Sequence, residues 1–225
     1  MQIYKKNSRE SARDYALRVL KGNIVSLDLE PGTAISENEL AAQLGISRTP
    51  VREAIIELAK AYIIETYPQR GSFISLIDSK MVEEARFLRR VMDAAVIETA
   101  CDLADDEGIA LLEENVMLQE FYLSKGMTEK IFELDNDFHR KIYIVAKKDL
   151  IHEIHSTIMI HFDRVRSLSV FTIKDFKIVN EHRQMLEAIK ARDKEKAVQL
   201  VAKHLNRYQI DQKDIIKQKP EYFKS

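Results

Sequence analysis

The chain has 225 residues, with 35 Lys and Arg against 36 Asp and Glu, 45% hydrophobic and 32% charged residues, six Gly, four Pro and a single Cys. That composition describes a globular protein with room for one large or two modest domains, and it excludes a disulfide scaffold, a low-complexity tract and an all-β fold rich in turns. No apolar run approaches a membrane span and MQIYKKNSRE has no signal-peptide core, so a cytoplasmic protein is expected.

The net charge of −1 conceals an uneven distribution. Residues 1–21 carry Lys5, Lys6, Arg9, Arg13, Arg18 and Lys21 against Glu10 and Asp14, whereas residues 76–225 carry 25 basic and 27 acidic side chains. A phosphate-binding surface is therefore expected at the N-terminal end. A first helix is predicted over about 8–20, with Ala12, Tyr15, Ala16 and Val19 on one face and Gly22 as its stop. After the Pro31-Gly32 turn, Ser36 and Glu39 have the spacing of a capping box and open a short helix that buries Leu40, Ala41 and Leu44.

Gly45 and Ile46 then make a corner, Ser47 or Thr49 supplies an N-cap, and Pro50 falls in the first turn of the next helix. Val51, Ala54, Ile55, Leu58 and Ala59 recur on its buried face, while Arg48 and Arg52 lie one turn apart near its N-terminus. That is where a recognition helix meets bases and phosphates; the alternative is a surface helix with two solvated arginines. Runs 63–67 and 73–77 read as strands around a tip, Pro68-Gln69-Arg70-Gly71, whose small glycine lets backbone approach a minor groove. Helix, helix, helix, hairpin is the order of a winged helix-turn-helix.

The run from Pro31 through SRTPVREA to Ser75 resembles the DNA-binding domain of the GntR family of bacterial transcriptional regulators. The resemblance implies DNA contacts from Arg48, Thr49 and Arg52 on the recognition helix, Arg70 and Gly71 on the wing, and Asn38 on the preceding helix. One departure is Tyr62, where the family usually has Gly; that corner must then be made by a residue less suited to positive φ.

From about Ser79 onward, six helical patterns are predicted over 79–104, 107–125, 128–147, 149–169, 174–191 and 193–217, joined by short corners as in an antiparallel bundle. The fold class expected is mostly α, and the resemblance implies a division into 1–77 for DNA binding and 78–225 for a helical effector-binding and dimerisation domain. Cys101 reads as a packing residue. Asp135 and His139 lie at i, i+4 beside the stripe Ile131, Leu134, Phe138, Ile142 and Val145. His182 falls amid Ile178, Met185, Leu186 and Ile189, and His204 amid Ala197, Val201, Leu205 and Tyr208. Such groups facing one core need partners, and a divalent metal would serve them together; the alternative is core histidines each satisfied by the protein.

LDNDFHRKIY, NEHRQMLEAIKARD and AVQLVAKHLNRY resemble the FCD effector domain of the FadR-type branch, whose metal-binding members carry an Asp and three His at positions matching Asp135, His139, His182 and His204. Four ligands without a thiolate suit zinc foremost, with Ni²⁺, Mn²⁺ or Fe²⁺ as other choices, and an octahedral ion keeps two positions for a small carboxylate. The resemblance favours Arg89 as the arginine gripping that acid, with Arg164 and Arg166 as further candidates. His152, His155 and His161 read as surface residues. The leading reading is a homodimeric, metal-containing repressor of a palindromic double-stranded DNA operator, controlled by a small organic acid. The alternatives are a metal-dependent hydrolase-like enzyme and a regulator whose metal is purely structural.

Overall fold

The computed structural model describes residues 1–172, 177–206 and 214–224. They gather into two compact units, one of Met1–Glu83, Thr157–Ser167 and Ile216–Ser225, the other of Glu84–Ser156 and Leu168–Ile215.

In the first unit, α1 spans Ala12–Val25, capped by Ser11, whose side chain accepts from the Asp14 N–H. The helix therefore starts later than the sequence suggested and passes through Gly22 rather than stopping there. A Cβ at that glycine would lie 3.1 Å from the Tyr4 ring, so its smallness serves packing, not termination. After the two-residue strand β1 (Ala34–Ile35), α2 (Glu37–Leu44) is capped by Ser36, and Gly45 at φ 65° turns the chain out of it. The helix α3 (Arg48–Lys60) has Ser47 at its N-cap without a side-chain bond. It buries Val51, Ala54, Ile55 and Leu58 against Val19, Leu20, Ile24, Leu40 and Leu44. Tyr62 does adopt φ 59°, with its ring in solvent.

Strands β2 (Ile64–Tyr67) and β3 (Gly71–Ile74) form the expected hairpin. The sheet has a third strand that periodicity missed: β1 pairs antiparallel with β3, Ala34 opposite Phe73, giving the order β1-β3-β2. Two residues are too few to show an alternation. Contrary to the predicted 73–77 strand, β3 ends at Ile74. Ile77 instead donates to the Tyr222 carbonyl at 2.7 Å and accepts from the Lys224 N–H at 2.9 Å, which docks the C-terminal segment through buried Tyr222 and Phe223.

The second unit is helical, built from α4 (Ser79–Leu103), α5 (Asp106–Ser124), α6 (Thr128–Val145), α7 (Asp149–Thr172), α8 (Lys177–Lys190) and α9 (Lys194–Asn206), except that residues 79–83 and 157–167 of these belong to the first unit. These follow the six predicted patterns closely. The last is helical over α9 (Lys194–Asn206) and over residues 214–218, and its residues 207–213 lie outside the described residues. Tyr208 and the predicted starting residues 174–176 of the fifth pattern lie outside the described residues. The corners are chemically specific. Asp105 accepts from the Gly108 N–H at 2.8 Å to cap α5. Arg192, itself at φ 55°, donates to the carbonyls of Cys101, Asp102 and Ala104 and so caps the C-terminus of α4. Cys101 is fully buried in that turn. The helix α5 packs on α6 and α8, and α8 on α9, an antiparallel bundle. Among the described residues no helix is long and apolar enough to cross a membrane.

Candidate metal centre and nucleic-acid interface

Inside the second unit, three helices bring Asp135, His139, His182 and His204 together, each offering one ligand atom, and these atoms all lie within 4.8 Å of one another. The Nε2 atoms of His139 and His204 are 3.2 Å apart. Asp135 Oδ1 stands 3.3 Å from His182 Nε2 and 3.7 Å from His204 Nε2. All four side chains are buried, and the Phe138 ring stacks on that of His182 at 4.4 Å. Burial pushes His204 well below the usual histidine pKa, against the opposing pull of its bond with Glu181, so its ring is neutral and able to ligate at neutral pH. Three imidazoles and one carboxylate around a point form a donor set suited to a borderline divalent cation, and the residues fit the metal expected from the sequence.

The ring nitrogens that face away from the centre are engaged as well. His139 Nδ1 lies 3.3 Å from Asp93 Oδ2, His182 Nδ1 lies 2.8 Å from Gln119 Oε1, and His204 Nδ1 lies 3.0 Å from Glu181 Oε2. None of these three acceptors figured among the expected site residues. For two of them the signal was a polar residue in the buried phase of a helix: Gln119, with Asn115 at i−4, on the buried face of Leu112 and Val116, and Glu181 between buried Val179 and His182.

Arg89 is buried on α4, and its Nε donates to Asp93 Oδ2 at 3.2 Å. Asp93 Oδ1 accepts from the Tyr143 hydroxyl at 2.8 Å. Burial alone would raise the Asp93 carboxyl, but the Arg89 charge and the bonds from His139 and Tyr143 hold it below the usual carboxylate range. Burial and the same carboxylate push the Tyr143 phenol up. One carboxylate thus joins Arg89 to a histidine of the candidate metal cluster.

Two other expectations fail. His155 and His161 are buried, not on the surface. His155 Nε2 meets the Tyr143 hydroxyl at 3.0 Å, and His161 Nε2 lies 2.7 Å from the Ala61 carbonyl, just past the end of α3. The helix α7 turns some apolar side chains outward instead, with Leu150 and Ile154 at 64% and 72% exposure, so its polar residues do not mark its outer face. Arg164 is not available to an effector either. It is fully buried in the first unit and donates to the Ser75 carbonyl at 2.8 Å. Arg166 pairs with Asp163 at 2.6 Å.

In the first unit, Asn38 on α2, Arg48, Thr49 and Arg52 on α3, and Arg70 and Gly71 at the hairpin turn are all exposed. Gly71 sits at φ 93° and Gln69 at φ 60°, so the turn needs two left-handed residues to present Arg70, whose guanidinium lies 5.8 Å from the Tyr67 ring centre. Arg48 donates to Glu37 at 2.7 Å, whereas Arg52 has no ion pair among the described residues. The basic first helix is more neutral than its composition implied. Arg18 is held by Glu10, Arg13 by Glu57 and Asp14, and Lys21 donates to Thr157, leaving Lys5, Lys6 and Arg9 exposed.

Residues 16–74 match the bacterial regulatory proteins of the gntR family, and residues 84–207 match the FCD domain. The chain belongs to the GntR family of transcriptional regulators and carries an FCD domain. An HTH-type transcriptional regulator in an unstable DNA locus of Streptomyces ambofaciens is 32% identical over 219 residues, 96% of this chain and 91% of that one. The HTH-type transcriptional repressor RspR of Escherichia coli (strain K12) is 27% identical over 218 residues, 96% of each chain. Among solved structures, E. coli McbR/YncC matches with a TM-score of 0.81 at 21% identity, covering 93% of this chain and 99% of that one. The relatives are regulators rather than enzymes, and the fold of this GntR regulator is that of a winged helix-turn-helix joined to an FCD bundle.

Proposed function

We propose that this GntR regulator is a cytoplasmic repressor that binds a palindromic operator as a homodimer and answers to a small organic acid held beside a divalent metal, zinc foremost. The reading rests above all on four buried donors from α6, α8 and α9 converging within 4.8 Å. Asp135, His139, His182 and His204 would hold the ion, which supplies a fixed positive charge for an acid's carboxylate. Arg89 would grip that carboxylate, and its link to Asp93 connects the acid to the metal's surroundings. The reading division, residues 1–77, contributes Arg48, Thr49 and Arg52 in a major groove, Arg70 and Gly71 in the adjoining minor groove, and Asn38 from α2. The effector and dimerisation division is 78–225. Exposed apolar residues, Phe87 and Val91 on α4 and Leu150 and Ile154 on α7, support association with a second copy.

Elemental analysis of the purified protein, with thermal melting before and after chelation, tests this. The expected result is one equivalent of divalent metal and a lower melting temperature once it is stripped, since a ligand of the folded state alone stabilises it. Absence of metal and an unchanged melt with added zinc would refute it. A purely structural ion predicts the same loss, but no further rise in melting temperature when the metal-loaded protein is screened against organic acids.

A further inference from the structure

A neutral imidazole has one N–H, so the partner of one nitrogen decides what the other can do. We propose that Asp93, Gln119 and Glu181 are the positioning residues of the metal centre: by accepting from Nδ1–H of His139, His182 and His204, they turn all three Nε2 lone pairs onto the ion. The proposal rests on the metal-binding reading above and goes beyond it, assigning to three residues outside the ligand set the choice of ligating atom.

For His139 and His204 the acceptor is a carboxylate, which when ionised has no proton to give. Asp93 already receives the Tyr143 hydroxyl and Arg89 Nε, and Glu181 faces His204 Nδ1 at 3.0 Å. For His182 the assignment follows from a chain of amides ending at a backbone carbonyl. Leu134 O can only accept, so Asn115 must present its NH₂ there, at 3.2 Å, and to Asp137 at 2.8 Å. Asn115 Oδ1 then faces Gln119, whose NH₂ donates to it at 2.6 Å. That leaves Gln119 Oε1 toward His182 Nδ1 at 2.8 Å, and the imidazole must donate. With every N–H directed outward, the Nε2 atoms of His139 and His204 face one another at 3.2 Å, and His182 Nε2 faces an Asp135 oxygen at 3.3 Å. Lone pairs so close repel unless a cation lies among them. The three partners also differ in kind. Glu181 and Asp93 are carboxylates, Asp93 being shared with Arg89, and Gln119 is a neutral amide.

The test is a zinc titration of the full-length protein against a chelating indicator, using wild type, Gln119→Leu, which removes an acceptor at similar volume, and Glu181→Gln, which keeps an acceptor and loses its charge. Both variants should keep the wild-type circular dichroism spectrum and bind zinc about 10- to 100-fold more weakly. If Gln119→Leu fails to fold, Glu181→Gln carries the comparison alone. In zinc-loaded wild type, ¹⁵N NMR should show Nε2 bound and Nδ1 protonated in all three rings. Variant affinities within twofold of wild type, or zinc on Nδ1 of any of the three rings, would overturn the positioning roles. Wild type that takes up no zinc overturns the metal-binding reading itself.

Discussion

Replacing Arg52 by Ala tests the recognition-helix assignment most directly, because neighbouring arginines are not equivalent. Arg52 has no ion pair among the described residues, so bringing it to DNA breaks nothing inside the protein. Arg48 must first leave Glu37, a pair whose arginine side chain is 61% exposed and which therefore holds it by only about 0.2–1 kcal/mol. A contact from Arg52 to a base edge contributes about 1–3 kcal/mol, roughly a 5- to 150-fold change in affinity for each half-site. Arg48→Ala should weaken binding less than Arg52→Ala by about the strength of its internal pair. Glu37→Gln, which releases Arg48, should strengthen it. The assay is fluorescence anisotropy with an operator duplex selected from a random library, repeated over a range of salt. Loss of a phosphate contact lowers the salt slope by about one per protomer, whereas loss of a base contact lowers affinity for the selected sequence more than for random DNA. Neither affinity nor salt slope changing in a folded Arg52→Ala protein would refute the placement of α3 against DNA.

Two further outcomes concern stability. Burial, only partly opposed by the bond to the Ala61 carbonyl, lowers the pKa of His161 from 6.5 to about 4. The unfolded chain therefore binds more protons between those values, and the stability His161 contributes is complete above pH 6.5 and lost as pH falls toward 4, by up to about 3 kcal/mol. His161→Gln keeps a donor for Ala61 and should flatten the acid limb of a urea-denaturation series, while an unchanged limb would show that His161 is not among its sources. At the corner after α3, Tyr62 holds φ 59° with its ring 68% exposed, so Tyr62→Gly relieves left-handed strain at little loss of packing. It should raise stability by about 1 kcal/mol, measured by the same denaturation; a lower midpoint would mean that the ring contributes more than the strain.

Much of the architecture was readable in one dimension because it depends on local chemistry. Ser36 at its capping position, Gly45 in the left-handed region and the spacing from Val51 to Leu58 act within a few residues of one another, and they mark α2, the corner and α3. The positive φ of Tyr62 was legible through the family resemblance instead, since the GntR family usually has Gly at that corner. The errors arose where the partner is remote in sequence. Gly22 looked like a stop because the Tyr4 ring above it was out of view. His155 and His161 looked solvated because polar residues usually face water, yet Tyr143 and the Ala61 carbonyl receive them inside. The strand β1 and the docking of Tyr222 and Phe223 beside Ile77 are pairings with segments far along the chain, which leave no periodic trace.

The candidate metal centre shows where the two sources of information divide. The sequence by itself determined that His182 and His204 occupy inward phases of their helices and that Asp135 and His139 lie at i, i+4 along the edge of an apolar stripe, because helical phase is a property of spacing. Only tertiary structure decided that those helices meet so that the four donors share one point, and that Asp93, Gln119 and Glu181 stand behind the three rings. A hydrogen bond is directional and reaches about 3 Å, so which nitrogen of a histidine faces the centre depends on atoms brought from other helices, which no spacing along a single helix records.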